Sequence, residues 1–376
     1  MMKENQWDER LSELYCQYGF RKFRISKFED YDLYVENKDF LNSGTVIAFR
    51  DADGSLKALK PDVTLSVMKN SRGENEKLYY SENVYREKNG FFREILQVGV
   101  ESVGTIDTYA EAEVVVLALR SLAILSDAWV LNLSAVDFVH AVLCEISPEQ
   151  AVRQEVLMLM AQKNRHGICA LAKAGRLTQE NAADLCALIE ICAPLKEGIE
   201  KAKPLAEKRG QGALLERLEA LSQLLEPFGL AQKVRLDFSL VNSMDYYNGI
   251  IFQGFVPGVP SAVLSGGRYD KLPEKMGKRV GAIGFGIDLS MLEQNAKNQT
   301  PYDVDYVLNY DETARPQALF ALAKELREEG YSVLCQPKTA ACAPVRCKKM
   351  MDYRAGMTAQ EVVAWFKLHC RKGVWG

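Results

Sequence analysis

Residues 78–104, LYYSENVYREKNGFFREILQVGVESVG, decide how this chain must fold. Two β-rich runs flank Asn89-Gly90, the dipeptide that most readily supplies the left-handed residues of a tight hairpin turn. By period two, Arg93, Ile95, Gln97, Gly99 and Glu101 share one face of the return run. Phe92, Leu96, Val98 and Val100 fall mostly on the other. An edge strand with a solvated face would account for the charges. A central strand carrying a polar pocket accounts for them better, because the rest is apolar and a buried glutamate needs a partner.

More hairpin signals lie on either side. Residues 45–50 and 55–59 flank Asp51-Ala52-Asp53-Gly54, and Pro61 then ends the strand. Asp62 stands where it would cap a helix over 63–69, or read the ammonium of a ligand. Downstream, Val234, Leu236, Phe238 and Leu240 alternate with Arg235, Asp237 and Ser239, which predicts a half-buried strand. Residues 245–255 read as a second strand, and Pro257-Gly258-Val259-Pro260 turns the chain back along 261–265 to Gly266-Gly267-Arg268-Tyr269-Asp270. Tyrosines, aspartates and an arginine among apolar strands either surround a polar ligand or satisfy one another in a core. Residues 278–292 are apolar and punctuated by Gly281, Gly284 and Gly286. That spacing is not a P-loop or dinucleotide fingerprint, so a tight strand before a helix is expected.

Between these halves the pattern is helical. Residues 7–18 carry apolar side chains at helical spacing, 111–125 read as an amphipathic helix and 130–133 as a strand. Ser147-Pro148 has the form of an N-cap followed by Pro at N1, and leucines at three- and four-residue steps continue to about residue 226. This predicts an all-helical insertion, about 140–230, in a domain spanning 1–300. Past a linker at 298–302, a strand (305–310), a helix (313–329) closed by Gly330 and a strand (331–335) open a small α/β domain, 301–376. Its pattern fades after Pro337 until a last helix over 358–368.

A chain of 376 residues is expected to hold two or three domains. Its 47 Lys+Arg against 50 Asp+Glu argue against a protein dominated by phosphate-backbone contacts. The start, MMKENQWDERLSELY, is charged and no long apolar run follows, so a soluble cytoplasmic protein without a membrane partner is expected. Nine cysteines form no C-x-x-C pair. Cys16, Cys144, Cys169, Cys186 and Cys192 read as reduced core residues. Cys335, Cys342, Cys347, His369 and Cys370 cluster late in the chain but fit no zinc spacing, and three histidines supply a triad or metal site poorly. No metal and no cofactor are expected.

Four separated segments resemble one family. LKPDVTLSV is similar to an Arg-Pro-Asp/Glu-x-Thr segment, YREKNGFFREILQVGVE to a hairpin ending Q-x-G-x-E, MDYYNGIIF to L-D-Y-Y-T-G, and LSGGRYDKL to G-G-R-Y-D. Together, across about residues 7–293, they resemble the histidyl-tRNA synthetases of class II, and most closely the non-synthetase branch of regulatory subunits of ATP phosphoribosyltransferase. The resemblance implies an α+β fold: a class II synthetase-like antiparallel sheet flanked by helices. It also implies a histidine pocket. Asp62 and Thr64 would meet the amino group with Gln97 close by, Glu101 and Tyr247 would hold the imidazole, and Arg86 would lie near the carboxylate. Tyr246, Arg268 and Tyr269 complete the implied set.

The departures separate synthetase from regulator. Asn242 stands where a synthetase has the arginine before its Asp-Tyr-Tyr, and Asp288-Leu289-Ser290-Met291 stands where it has Gly-Leu-Glu-Arg. Losing both arginines removes the charge and the planar fork that grip phosphate, and with them the means of efficient adenylation. The tip of the hairpin is shorter than in synthetases, and Asp62 stands where they have Glu. The branch implies no catalytic residues and no tRNA. It implies a short-form ATP phosphoribosyltransferase catalytic subunit as partner, a dimer of this chain within a hetero-octamer, and histidine as ligand. A divergent histidyl-tRNA synthetase and a stand-alone histidine sensor are the alternatives.

Overall fold

The computed structural model describes residues 4–40, 45–88, 90–241, 246–292, 302–338, 345–358, 360–362 and 364. The chain divides after Glu293 into two compact units. The larger opens with α1 (Glu4–Gln17), β1 (Arg21–Lys22), β2 (Phe28–Asp30) and α2 (Tyr31–Glu36). Then come β3 (Ala48–Arg50), β4 (Leu56–Leu59), α3 (Thr64–Asn70), β5 (Glu76–Lys88), β6 (Phe91–Gly104) and α4 (Thr108–Leu125). β7 (Val130–Ala135) leads into α5 (Val136–Ile146), α6 (Gln150–Ala161), α7 (Arg165–Lys173) and α8 (Gln179–Glu190). β8 (Cys192–Pro194), α9 (Leu195–Lys208), α10 (Gly212–Leu225) and β9 (Val234–Asp237) follow. β10 (Ile250–Phe255), β11 (Leu264–Arg268), α11 (Lys271–Lys275) and β12 (Gly281–Asp288) complete it.

Nine of these strands form one sheet in the order β1-β5-β6-β12-β11-β10-β7-β9-β8. Its centre is antiparallel, whereas β1 with β5 and β7 with β9 run parallel, so the sheet is mixed rather than purely antiparallel. Period two sorts the central strands between two cores. Val98, Val100, Phe285 and Ile287 pack against Trp7, Leu11 and Tyr15 of α1 and the body of α4. Tyr80, Ile95 and Ala282 face the opposite way, towards Val63, Leu65 and Met68 around α3. From Ile95 to Glu101 this face of the return strand therefore lies largely under protein, whereas Arg93 near the tip is exposed.

Several local readings change. α4 is not amphipathic: residues such as Val114 to Leu119 are all buried, because the helix runs between the sheet and α1 and α10. Ser147 does not cap α6. It closes α5, and α6 starts only at Gln150. The helical stretch is interrupted by β8, which pairs with β9, and Asp237 and Ser239 are buried where a half-exposed strand was expected. Asp237 is satisfied there by Lys163 at 2.9 Å and by the hydroxyl of Ser239 at 2.5 Å. β10 starts five residues later than the pattern suggests, and Asn242 to Asp245 lie outside the described residues. Cys16 and Cys144 are exposed rather than in the core.

The smaller unit contains β13 (Val304–Tyr310), α12 (Pro316–Glu328), β14 (Val333–Pro337) and β15 (Cys347–Asp352). Its three-stranded sheet has the order β14-β13-β15 and is parallel throughout. Leu308, Leu322 and Leu326 fill its core. β15 was invisible in the pattern because its sequence, CKKMMD, is an edge strand with two lysines and no strong apolar alternation. Cys342, His369 and Cys370 lie outside the described residues. Among the described residues, no helix is long and apolar enough to cross a membrane.

Candidate functional site

A cavity of about 220 Å³ sits on the polar face of β5, β6, β11 and β12. Its floor follows from strand register. Glu101 on β6 pairs across with Gly284 on β12, which pairs with Gly267 on β11. One row along, Tyr80 pairs with Gly99, Gly99 with Gly286, and Gly286 with Ser265. In the next row Gln97 faces Asp288. The glycines are spatial necessities. A Cβ at Gly284 would collide with the Glu101 carboxylate, one at Gly286 with the Gln97 amide, and one at Gly99 would come within 2.6 Å of the Tyr80 hydroxyl. Only a glycine surface lets these longer side chains lie over the sheet.

Glu101 is the centre of the site and is 2 % exposed. Thr64 Oγ1 donates to its Oε1 at 2.7 Å, and the Tyr269 hydroxyl donates to its Oε2 at 2.5 Å. Neither partner is charged. Burial therefore pushes the carboxyl up to about 8, the two hydroxyls pull it down by less, and the negative charge of Asp62 adds to the rise. Burial likewise raises Tyr80, Tyr246, Tyr247 and Tyr269, so each stays a neutral hydroxyl. Tyr246 packs on Tyr247 and Tyr269 with centroids 4.6 and 5.4 Å apart, forming one aromatic wall.

The helix-start reading of Asp62 holds, and its side chain is placed at the cavity. Oδ1 accepts from the Leu65 amide at 3.1 Å in the first turn of α3, while the side chain also lines the cavity. Arg86 is the one cation among the described residues of the lining, which also holds the carboxylates of Asp62, Glu101 and Asp288. Its Nε donates to the Pro61 carbonyl at 2.7 Å, and a terminal nitrogen reaches Gln97 Oε1 at 3.3 Å and Asp62 at 3.5 Å. A cavity this small and polar suits a compact amphoteric molecule rather than a nucleotide. The buried, hydroxyl-held Glu101 calls for a ligand that brings an N–H or a positive charge.

The comparisons with known proteins agree with this architecture. A family model described as histidyl-tRNA synthetase matches residues 1–292. A relative from Caldanaerobacter subterraneus subsp. tengcongensis, named ATP phosphoribosyltransferase regulatory subunit, is 30% identical over 345 residues, covering 87% of this chain and 88% of that one. This chain belongs to the histidyl-tRNA synthetase family, on its ATP phosphoribosyltransferase regulatory-subunit branch. A crystal structure from Bacillus halodurans C, titled as a regulatory subunit/histidyl-tRNA synthetase, shares the fold. Its TM-score is 0.74 at 23% identity, over 93% of each chain. A chain of an ATP phosphoribosyl transferase (HisG:HisZ) complex from Thermotoga maritima has the fold too, with a TM-score of 0.60 and 20% identity over 76% of this chain and 96% of that one.

Within this synthetase-like frame, eight of the nine anticipated site residues meet in the cavity: Asp62, Thr64, Arg86, Gln97, Glu101, Tyr246, Tyr247 and Tyr269. Arg268 does not. It lies one residue out of phase on β11 and so points through the other face of the sheet. There it bonds Glu111 at 2.9 Å, Asp270 at 2.8 Å and the Ile106 carbonyl at 3.0 Å, beside an open depression of about 910 Å³ with charges of both signs. Arg93, in phase with Gln97 and Glu101, is exposed near the hairpin tip, past the end of the cavity. Tyr80 and Ser265 line the cavity and were not among the expected site residues, and Asp288 and Met291, read in the sequence only as departures from the family motif, line it too. The glycines at 284 and 286 were the available signal, since period two carries that face on to Asp288.

Proposed function

We propose that this chain is a non-catalytic regulatory subunit that assembles with a short-form ATP phosphoribosyltransferase catalytic subunit, raises its activity and helps it respond to histidine. The names of its relatives support the partnership. The observation that carries the ligand assignment is Glu101, buried between two hydroxyls with no cation bonded to it among the described residues. An imidazole would supply the missing N–H to Glu101 and take a hydroxyl from Tyr247 on its other side, a pairing that an aliphatic side chain cannot make. Asp62 and Thr64 would receive the amino group, with Gln97 nearby, and Arg86 the carboxylate, while Tyr246 and Tyr269 wall the ring.

Catalysis is assigned to the partner. Met291 lines the cavity where a phosphate-gripping arginine would stand, and its sulfur contacts the Ser261 hydroxyl at 3.5 Å. A thioether offers neither charge nor donor to a triphosphate. Pairing of this chain with itself inside a hetero-octamer, in the cytoplasm, and the absence of a tRNA partner belong to the same proposal. Feedback of this kind requires histidine to bind two states of the assembly unequally.

The test is reconstitution. Adding this chain to the short catalytic subunit should raise the rate of phosphoribosyl transfer to ATP, and histidine should lower it. An unchanged rate on mixing sinks the proposal. Histidine-dependent exchange of pyrophosphate into ATP by this chain alone would replace it with a synthetase.

A further inference from the structure

The aromatic wall of the cavity stands on irregular backbone. Tyr246 and Tyr247 precede the first ladder pairs of β10, and Tyr269 follows the last residue of β11. Side chains carried on such segments keep one position only if other bonds fix the chain there. Those bonds gather at the next residue, Asn248. Its Nδ2 donates to Asp270 Oδ2 at 3.1 Å, and the Asp270 amide donates back to Asn248 Oδ1 at 2.8 Å. The Asn248 amide donates to the Arg268 carbonyl at 3.0 Å. Asp270 is fixed in turn: the Ala282 amide donates to its Oδ1 at 3.0 Å, and Arg268 Nε to its Oδ2 at 2.8 Å. The Arg268 stem lies so close over Gly249 that a Cβ there would come within 2.9 Å of its Cδ. Arg268 and Asp270 line the open depression, whereas Tyr269 between them lines the cavity. A polar latch outside the cavity thus grips the residue that follows Tyr247 and both neighbours of Tyr269.

We propose that Asn248 and Asp270 are positioning residues, whose reciprocal pair holds Tyr247 where its hydroxyl meets the ring of the ligand. This rests on histidine being that ligand. Neither residue lines the cavity, so neither touches what binds there. Their pair sets the tyrosine wall before binding, and the ligand does not have to order residues 246–248 on arrival.

The experiment is a set of histidine titrations by calorimetry on the full chain and its variants, each first shown to unfold cooperatively in denaturant. Asn248→Ala removes both side-chain bonds and should weaken histidine by about tenfold. Because the effect runs through Tyr247, the same change should weaken binding by about threefold or less on a Tyr247→Phe background. On an Arg86→Gln background, at the carboxylate end of the ligand, it should keep its full effect. General loosening of the fold would add on both backgrounds alike. Asn248→Asp keeps the size, sets a second carboxylate against Asp270 and should weaken histidine at least as much; it carries the test if Asn248→Ala does not fold. Unchanged affinity on altering Asn248, full additivity with Tyr247→Phe, or a Tyr247→Phe change without effect of its own overturns the inference while histidine binding stands. No histidine binding by the unaltered chain overturns the ligand reading, and this inference with it.

Discussion

Two glutamates ten residues apart, Glu101 and Glu111, are equally deep in the larger unit, at 2 % exposure each, and are treated in opposite ways. Glu111, on α4, is gripped by Arg217 at 2.8 Å and Arg268 at 2.9 Å. Its charge is balanced within the protein, and it ties α4 to α10 and to β11. Glu101, on β6, is held among the described residues by the hydroxyls of Thr64 and Tyr269. Held by neutral groups, it keeps its proton far above the usual carboxylate range, beside a cavity of ligand size. The first carboxylate is structural, and the second is built to be completed from outside.

The largest effect should follow from breaking the structural member. Glu111→Ala leaves two arginines facing each other and should cost roughly 2–4 kcal/mol in denaturant unfolding, reduced from a fully buried pair because Arg217 is partly exposed. If the midpoint does not move, Glu111 is not the tie described above.

Glu101 should behave differently under the same test. Its carboxyl rises from 4.5 to about 8 on folding, so the folded chain keeps a proton that the unfolded chain has lost. Stability is therefore highest below the unfolded value and falls as the pH rises through that interval, by an amount on the order of a few kcal/mol. Glu101→Gln should flatten that fall in pH-dependent unfolding, making the variant the more stable protein at the alkaline end. It should also weaken histidine by about tenfold or more in calorimetry. A variant that loses stability throughout would place Glu101 with Glu111.

A smaller change comes from Tyr269→Phe. One donor to the carboxylate is lost, so stability should drop by about 1 kcal/mol. The lost donor stabilised the charged form, so the alkaline limit of the pH window should move up. A limit that stays in place would mean that the hydroxyl does not control Glu101.

The sequence was most legible where one period governs many residues. Gln97, Gly99 and Glu101 could be set on one face because a strand alternates strictly, and their apolar neighbours required that face to be covered. It was less legible where a neighbour decided. Arg268 shares a motif with Tyr269, yet the two side chains serve opposite sides of the sheet. Asp237 and Ser239 read as half-exposed, yet both are buried, with Lys163, far away in sequence, pairing Asp237. Asp288 was visible in the sequence only as a departure from the family motif; its place at the cavity comes from standing opposite Gln97.

By itself, then, the sequence determined the hairpin, the polar face of its return strand and the family motifs that meet on it. These depend on local turn chemistry and on the two-residue repeat. Tertiary structure alone decided which carboxylate is balanced and which is not. Arg217 lies 106 residues from Glu111, and Tyr269 lies 168 residues from Glu101. Whether a buried charge meets a guanidinium or a hydroxyl depends on which strands and helices pack together, and no local pattern records that choice.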